Sequence, residues 1–520
     1  MNGGALLGIS HAISENRGSA DRPHAADSHA LSGRAQPAIY AFALAVSISF
    51  WFSALRSPLW LDETSSYWQI SHGFGQILSR RGEVSAAYPY ILWLTSRITG
   101  TSEIALRVPS ILAMLAAVFL LYRAARELFG RDVAFITVIL FCSHPIVVFA
   151  AIDARPYAFG ALAINATILA LVRLRHRDSN WLAAAFGIGA AASTHFQVLF
   201  GAVLLVLAVC FLATKTGNTR SLLRQSAIAL AAFVVGFAPL LPDLFHLFRN
   251  RQAYVFDRTP PRLLELASTL APGWLAFILG GAVILGVATG TLALRTRVDR
   301  WPFLVSASLG LIPILILYGV SAGTSTNIFV ARYRLVAIPG IALLWGWLIS
   351  RINSESLRVA FCIAVVSAAA VRHFRSPNVN QHGYTWKYAL AVAENNAAPD
   401  NATVLICSDF PSADYYPMPA PAAVKDSGFF TQLSYYELTA PVVGLPRRFN
   451  DQARRITSDF VQEAAQRRER FLALGFRASI ETLHWLREIT SDTYEVNMLG
   501  QPDGVLVLEF KPRAVPTESR

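Results

Sequence analysis

The chain has 520 residues, of which 54% are hydrophobic and only 15% charged, with 45 Lys and Arg against 33 Asp and Glu for a net charge of +12. Soluble domains carry about 25% charged residues, so composition excludes an ordinary soluble protein for most of this length, and the mean hydropathy of +0.42 agrees. In a soluble protein the positive excess would point to nucleic acid. Here much of it falls in short loops between apolar runs, where it signals topology and contact with anionic membrane lipids, and no nucleic-acid partner is expected.

Residues 1–37 are rich in Ala, Ser, Gly and His and read as a disordered cytoplasmic N-terminus, without the basic-then-apolar pattern of a cleaved signal peptide. Beyond them, apolar runs long enough to cross about 30 Å of hydrocarbon, roughly 20 residues each as helix, recur as far as residue 372. They are continuous rather than alternating, which predicts helices. Spans are expected near 38–56, 103–122, 133–150, 156–173, 181–195, 197–213, 225–243, 273–294, 302–320, 333–350 and 357–372, about eleven in all. Asp153-Ala154-Arg155-Pro156 interrupts them, and since Pro156 disfavours helix at the preceding residue, it reads as a turn at the membrane surface. Basic loops follow alternate spans (Arg123, Arg126 and Arg131; Arg173, Arg175 and Arg177; Lys215, Arg220 and Arg224; Arg295, Arg297 and Arg300; Arg351 and Arg358). All fall on one side, which the positive-inside rule makes cytoplasmic, together with the N-terminus. Asp62, Asp153, His195, Arg332 and everything after about residue 373 then lie on the extracytoplasmic side.

The first external loop, 57–102, places Tyr67, Trp68, Ile70, Phe74, Ile77 and Leu78 at helical spacing, which suits a segment lying in the interface. A second, 244–272, carries Arg249, Arg251, Arg258 and Arg262 against the positive-inside trend. After residue 373 the character changes. Thr403–Ile406 and Val505–Leu508 read as buried strands, and 456–473 and 478–488 as amphipathic helices. The fold class is therefore a polytopic α-helical membrane protein, residues 38–372, followed by a small extracytoplasmic α/β domain, residues 373–520.

Four sets of residues stand out for chemistry. Asp62 and Glu63 follow the first span, and ionisable groups at a membrane boundary are costly and often functional. Neighbours on a helix point about 100° apart, so one would serve the reaction and the other orientation, a metal or a loop contact. The structural alternative is that Asp62 caps a helix beginning near Glu63. Asp153 and Arg155 neutralise each other, or supply a carboxylate for a metal or acceptor and a guanidinium for phosphate. Arg332-Tyr333-Arg334 either anchors at the headgroups or clamps a lipid phosphate, for which a planar guanidinium is suited. His195, at the tip of a predicted hairpin, reads first as structural.

In order and spacing over about residues 38–350, the chain resembles the protein-mannosyltransferase-like family of GT-C membrane glycosyltransferases. The matching stretches are Trp60-Leu61-Asp62-Glu63, Tyr88-Pro89-Tyr90 leading to Ala105–Ser110, Tyr122–Gly130, Asp153–Phe159, Thr194-His195-Phe196 and Arg332–Gly340. The resemblance implies a GT-C fold and a polyprenyl-phosphate-linked hexose or pentose as donor. It also implies a hydroxyl on a lipid, glycan or protein as acceptor, and inversion at the anomeric carbon. It places the enzyme in a bacterial inner membrane with the C-terminal domain periplasmic. By it Asp62 is the base, with Glu63 and Asp153 beside it in the catalytic set. Arg332, Arg334, Arg155, Arg249 and Arg251 face the donor phosphate, and Tyr88, Tyr157 and His195 line the substrate site. A divalent cation, Mg or Mn, is left open at Asp153, which stands where relatives often carry glutamate. Ala86 and Ala87 depart from the pattern ahead of the Pro-Tyr pair, which points to a different acceptor. The rival reading is a transporter or lipid flippase, which would hold its ionisable groups near mid-membrane; a receptor or scaffold using the C-terminal domain is a third.

Overall fold

The computed structural model describes residues 26–79, 87–213, 219–250, 259–292, 300–324, 326–376 and 382–514. The chain up to Arg375 is a helical bundle. It opens with α1 (Ala26–Ser49), so residues 26–37 belong to a helix and not to a disordered segment. The first loop then forms α2 (Leu61–Ser71), α3 (Phe74–Ser79) and α4 (Tyr88–Thr99). The long α5 (Glu103–Phe129) starts at Ser102, whose hydroxyl accepts from the Ala105 N–H.

Next come α6 (Arg131–Ser143) and α7 (Pro145–Ala151), which cover the span expected at 133–150 but are bent by 73°. Pro145 has no N–H to donate and pushes His144 into extended backbone (φ −71°, ψ 129°). The bundle continues with α8 (Tyr157–His176), α9 (Asn180–Phe196), α10 (Leu204–Leu212), α11 (Thr219–Phe237), α12 (Leu241–Arg249) and α13 (Leu263–Leu270). It ends with α14 (Gly273–Ala288), α15 (Arg300–Gly323), α16 (Ala331–Arg334), α17 (Ile338–Ile349) and α18 (Glu355–Arg375). Part of the expected second loop is thus helical, as α13.

Among the described residues six helices are long and apolar enough to cross a membrane, or up to eight if each bent pair counts once, with shorter apolar helices at Gln36–Phe52 and Val198–Leu212. This is fewer than the eleven expected, because prolines break some apolar runs and others, such as the 17-residue α9, stop short of a full span. Where α17 crosses α15 the backbones touch: a Cβ on Gly340 would lie 2.3 Å from the Gly310 nitrogen. Small residues permit such contact between membrane helices. This one fixes the start of α17, and with it the α16 turn that carries Arg332.

The C-terminal domain runs α19 (Lys387–Ala397), β1 (Thr403–Cys407), α20 (Thr431–Tyr435), β2 (Val442–Leu445), α21 (Asp451–Arg467), β3 (Phe471–Gly475), α22 (Ile480–Ile489), β4 (Tyr494–Gly500) and β5 (Leu506–Pro512). Strand order is β2-β1-β3-β5-β4, with β1 parallel to β2 and β3, and β5 antiparallel to β3 and β4. Both faces are covered. Val404 and Ile406 pack with Leu390 and Ala393 of α19, while Leu405 and Cys407 pack with Val461 of α21 and Leu483 of α22. Strands buried on both faces read as unbroken apolar runs. The helix expected over 456–473 stops at Arg467 for that reason: Arg468 turns to a positive φ of 56° and Phe471–Gly475 enters the sheet.

The two parts dock through the first loop, so α2 is a buried link and not a segment lying free in the interface. Thr64 Oγ1 meets Thr431 Oγ1 at 2.9 Å, and Trp68 Nε1 donates to the Asp426 carbonyl at 2.9 Å. The Leu59 N–H donates to the Tyr436 hydroxyl at 2.6 Å, and that hydroxyl and Lys387 Nζ both donate to Glu103 Oε1, at 3.1 and 3.0 Å. Leu61 of α2 lies inside the apolar core of the C-terminal domain.

Asp409, just past β1, is 7% exposed and accepts from Trp386 Nε1 at 2.9 Å. Burial pushes its carboxyl up to about 7, against the pull of the Trp386 bond and of Arg447. An aspartate in the unfolded chain titrates near ~3.9. Across the window from about pH 4 to 7 the folded state therefore holds a proton that the unfolded state has lost, and stability falls as pH rises. The loss at neutral pH is at most on the order of 4 kcal/mol. Asp409→Asn keeps the bond from Trp386 and removes the charge. The full-length variant in detergent is expected to melt above the parent at about pH 8 and alongside it near pH 4; the same melting difference at both would reject this account.

Candidate active site

The site is built on the first turn of α2. Trp60 is its N-cap, and the Trp60 N–H donates to Glu63 Oε2 at 3.2 Å. That is the reaching-back half of a capping box, so capping falls to Trp60 and Glu63 and not to Asp62. Glu63 is fully buried. Its Oε1 accepts from Arg107 Nε at 2.8 Å and from the Ala154 N–H at 2.9 Å, and its Oε2 accepts from Arg107 Nη2. Arg107, from α5, also donates to the carbonyls of Leu55 (2.9 Å), Ser57 (2.7 Å) and Pro58 (3.2 Å). Every oxygen of Glu63 is taken, so this carboxylate holds the loop in shape and does not face a substrate. Arg107 lay in a matching stretch of sequence without a role assigned to it.

Asp62, one residue earlier, points the other way. Its Oδ2 accepts from Arg332 Nη1 at 2.7 Å, with the two side chains 8% and 14% exposed. Arg155 Nη1 donates to the Asp62 carbonyl at 3.0 Å and to Ser66 Oγ at 3.1 Å, so its guanidinium backs the main chain that carries Asp62. Arg332 also lies 5.9 Å from the centre of the Trp60 ring and 5.4 Å from that of Tyr333, within cation–π range. Tyr157 is buried with its ring 6.5 Å from Tyr333. Asp62, Arg155, Tyr157 and Arg332 thus converge on one place.

Asp153 joins from behind. It is fully buried, and its Oδ1 accepts from Trp60 Nε1 at 3.0 Å and lies 3.4 Å from His382 Nε2. Burial pushes its carboxyl up, against the pull of His382. His382 stacks on Phe149 at 4.1 Å. The sequence reading missed it, since a lone histidine past the last apolar run gives no signal of a carboxylate partner. Glu63, Asp153 and His382 bring their ligand atoms within 4.8 Å of one another, yet the set does not fit Mg or Mn. Such ions take about six oxygen ligands. Glu63 has none to spare, a guanidinium stands 2.8 Å from its Oε1, and of Asp153 only Oδ2 has no hydrogen-bond partner among the described residues.

Other expected site residues lie elsewhere. Arg334 Nη1 donates to the Glu265 carbonyl at 3.1 Å and to Thr269 Oγ1 at 2.5 Å, bracing α13. His195 Nε2 donates to the Gly236 carbonyl at 2.7 Å, tying α9 to α11. Tyr88, by contrast, adjoins the site: it is 1% exposed, shares a buried cluster with Leu59 and Ala154, and packs on Phe159 at 5.8 Å. Arg249 is exposed in the last turn of α12, and Arg251 falls outside the described residues.

Residues 84–246 match the family model described as dolichyl-phosphate-mannose-protein mannosyltransferase. A comparison with curated proteins finds no match. Among solved structures, ArnT from Cupriavidus metallidurans in the apo state matches with a TM-score of 0.53 at 12% identity, over 92% of this chain and 98% of that one. The same protein bound to undecaprenyl phosphate matches at 0.52 and 12% identity, over 90% and 97%. This chain has the GT-C fold. The matched segment of the family model contains Arg107, Asp153 and Arg155; Asp62 and Arg332 lie outside it, and the GT-C fold brings all five together.

Removing one partner of a buried ion pair costs about 3–5 kcal/mol, because the other is left charged and dry. Arg107→Met is therefore expected to lower the melting midpoint of the detergent-solubilised protein sharply. Adding Glu63→Gln should recover part of the loss; a double variant no better than the single one would argue against the pair as the source.

Proposed function

We propose that this protein is a membrane glycosyltransferase that moves a sugar from a polyprenyl-phosphate donor to an acceptor hydroxyl. The observation that carries this reading is the Asp62–Arg332 contact at 2.7 Å between residues 270 positions apart. A base and a phosphate-binding cation held together is what displacement of a phosphate leaving group requires. The family match over residues 84–246 and the undecaprenyl phosphate carried by one ArnT structure support the donor class.

In the reaction the acceptor oxygen forms a bond to the anomeric carbon as the bond from that carbon to the phosphate oxygen breaks. Asp62 takes the hydroxyl proton, and polyprenyl phosphate leaves with the electron pair, its charge met by Arg332. Before the donor binds, Arg332 holds Asp62. An incoming phosphate competes for the guanidinium, for which its geometry is suited, and frees the carboxylate to act as base. Arg155 keeps Asp62 in place through its main chain, and Asp153 positions Trp60. A double displacement would need a second carboxylate as nucleophile. Glu63 is committed to Arg107, and Asp153 is turned to Trp60 and His382. That favours one displacement with inversion. The excess of Lys and Arg in the loops between apolar runs supports a site and C-terminal domain on the extracytoplasmic face, the periplasmic side of an inner membrane in a bacterium.

Asp62→Asn keeps the size and removes the base, and is expected to lower kcat at least about 100-fold in a transfer assay with purified protein. Transfer at the parental rate would end the assignment. Arg332→Ala should raise the KM for the donor well above any change for the acceptor; equal effects on both would argue against a phosphate clamp. Because the leaving charge is met by guanidinium, transfer should persist after exhaustive dialysis against EDTA, and restoration of a lost rate by Mg or Mn would contradict this.

A further inference from the structure

The parallel half of the C-terminal sheet turns the carboxyl ends of β1, β2 and β3 to a single edge. β1 leads to β2 on one side, while β3 leads through α22 to β4 on the other, so the connections part between β1 and β3. In open α/β sheets, ligands bind beyond the strand carboxyl ends at such a point. Each strand delivers one side chain there: Asp409 after β1, Arg447 after β2 and Phe476 after β3. Tyr384 stacks on Phe476 at 4.4 Å with the rings 9° apart. Arg447 Nη1 is buried without a hydrogen-bond partner among the described residues. Arg477 adds charge at the same edge, 5.8 Å from the Phe476 ring, while Arg448 is paired with Asp414 at 3.8 Å.

This edge abuts the reaction centre. Tyr384 is within electrostatic reach of Asp409 and Arg447 and also of Asp62 and Arg332. The strap from His382 to Trp386 joins the two. His382 sits on Asp153, Gly383 runs against Trp60, where a Cβ would come within 3.0 Å, and Trp386 donates to Asp409. Gly383 has a φ of +81°, which a side chain rarely tolerates.

We propose that this edge is the acceptor subsite and that it takes a saccharide bearing a fixed negative charge. The proposal rests on the glycosyltransferase reading and names the acceptor class for the same site. The Tyr384–Phe476 pair offers apolar surface to the C–H face of a sugar ring. Asp409 accepts from a ring hydroxyl, and Arg447 grips the anion through its planar fork. Phosphate and carboxylate share that chemistry, and the test separates them.

The experiment is saturation-transfer NMR on the full-length protein in detergent, with glucuronic acid, glucose 6-phosphate and neutral glucose as probes. One or both charged sugars are expected to bind at least about tenfold more tightly than glucose; the tighter one identifies the anion. Arg447→Ala should abolish the preference, and Arg447→Lys should keep part of it. Equal binding of all three sugars, no binding of any, or a preference that survives Arg447→Ala would overturn the proposal. The readout needs no turnover. Its failure would leave glycosyl transfer standing, and a chain that binds charged sugars through Arg447 but never transfers would keep the subsite and lose the enzyme.

Discussion

One guanidinium shapes the candidate site. Arg107 enters from α5, neutralises Glu63 and donates to four carbonyls of the turn between α1 and α2, those of Ala54, Leu55, Ser57 and Pro58. In a dry interior each of those groups would be costly if left unpaired, and here they are all closed by a single side chain. The first turn of α2 is held as a result, and the direction of Asp62 is set. Two adjacent carboxylates meet opposite fates because a helix turns about 100° per residue. Glu63 faces the bundle and becomes scaffold, while Asp62 faces Arg332.

Trp60 extends this scaffold in four directions. Its N–H goes to Glu63, its indole N–H to Asp153, its ring faces Arg332 and its Cβ meets Gly383. A substitution at Asp153 would therefore reach the centre through an aromatic ring and not through a missing proton acceptor.

Much of the site was legible as charge at the ends of apolar runs. Asp62, Asp153, Arg155 and Arg332 all announced themselves in that way, and the resemblance put them in one site. Their pairing was not legible, because it depends on where α7 goes after Pro145, and hydropathy reads across that bend. Arg107 is visible as an arginine at the head of a long apolar helix, a position seldom left without a carboxylate. His382 gives no such signal. In the C-terminal domain β1 and β5 stood out as apolar runs. β3 was absorbed into a neighbouring helix, and the short β2 and half-polar β4 offered no clear period.

Leu61 has a further consequence. It is adjacent to Asp62 in sequence, yet it belongs to the buried cluster that also holds Val404, Leu472 and Val507. Its neighbours are made last. While the ribosome is still extending the chain, the Leu61 side of α2 has no roof. A chain stalled or clipped before Val507 would leave Leu61, on the helix that carries Asp62, without the full apolar cluster that buries it.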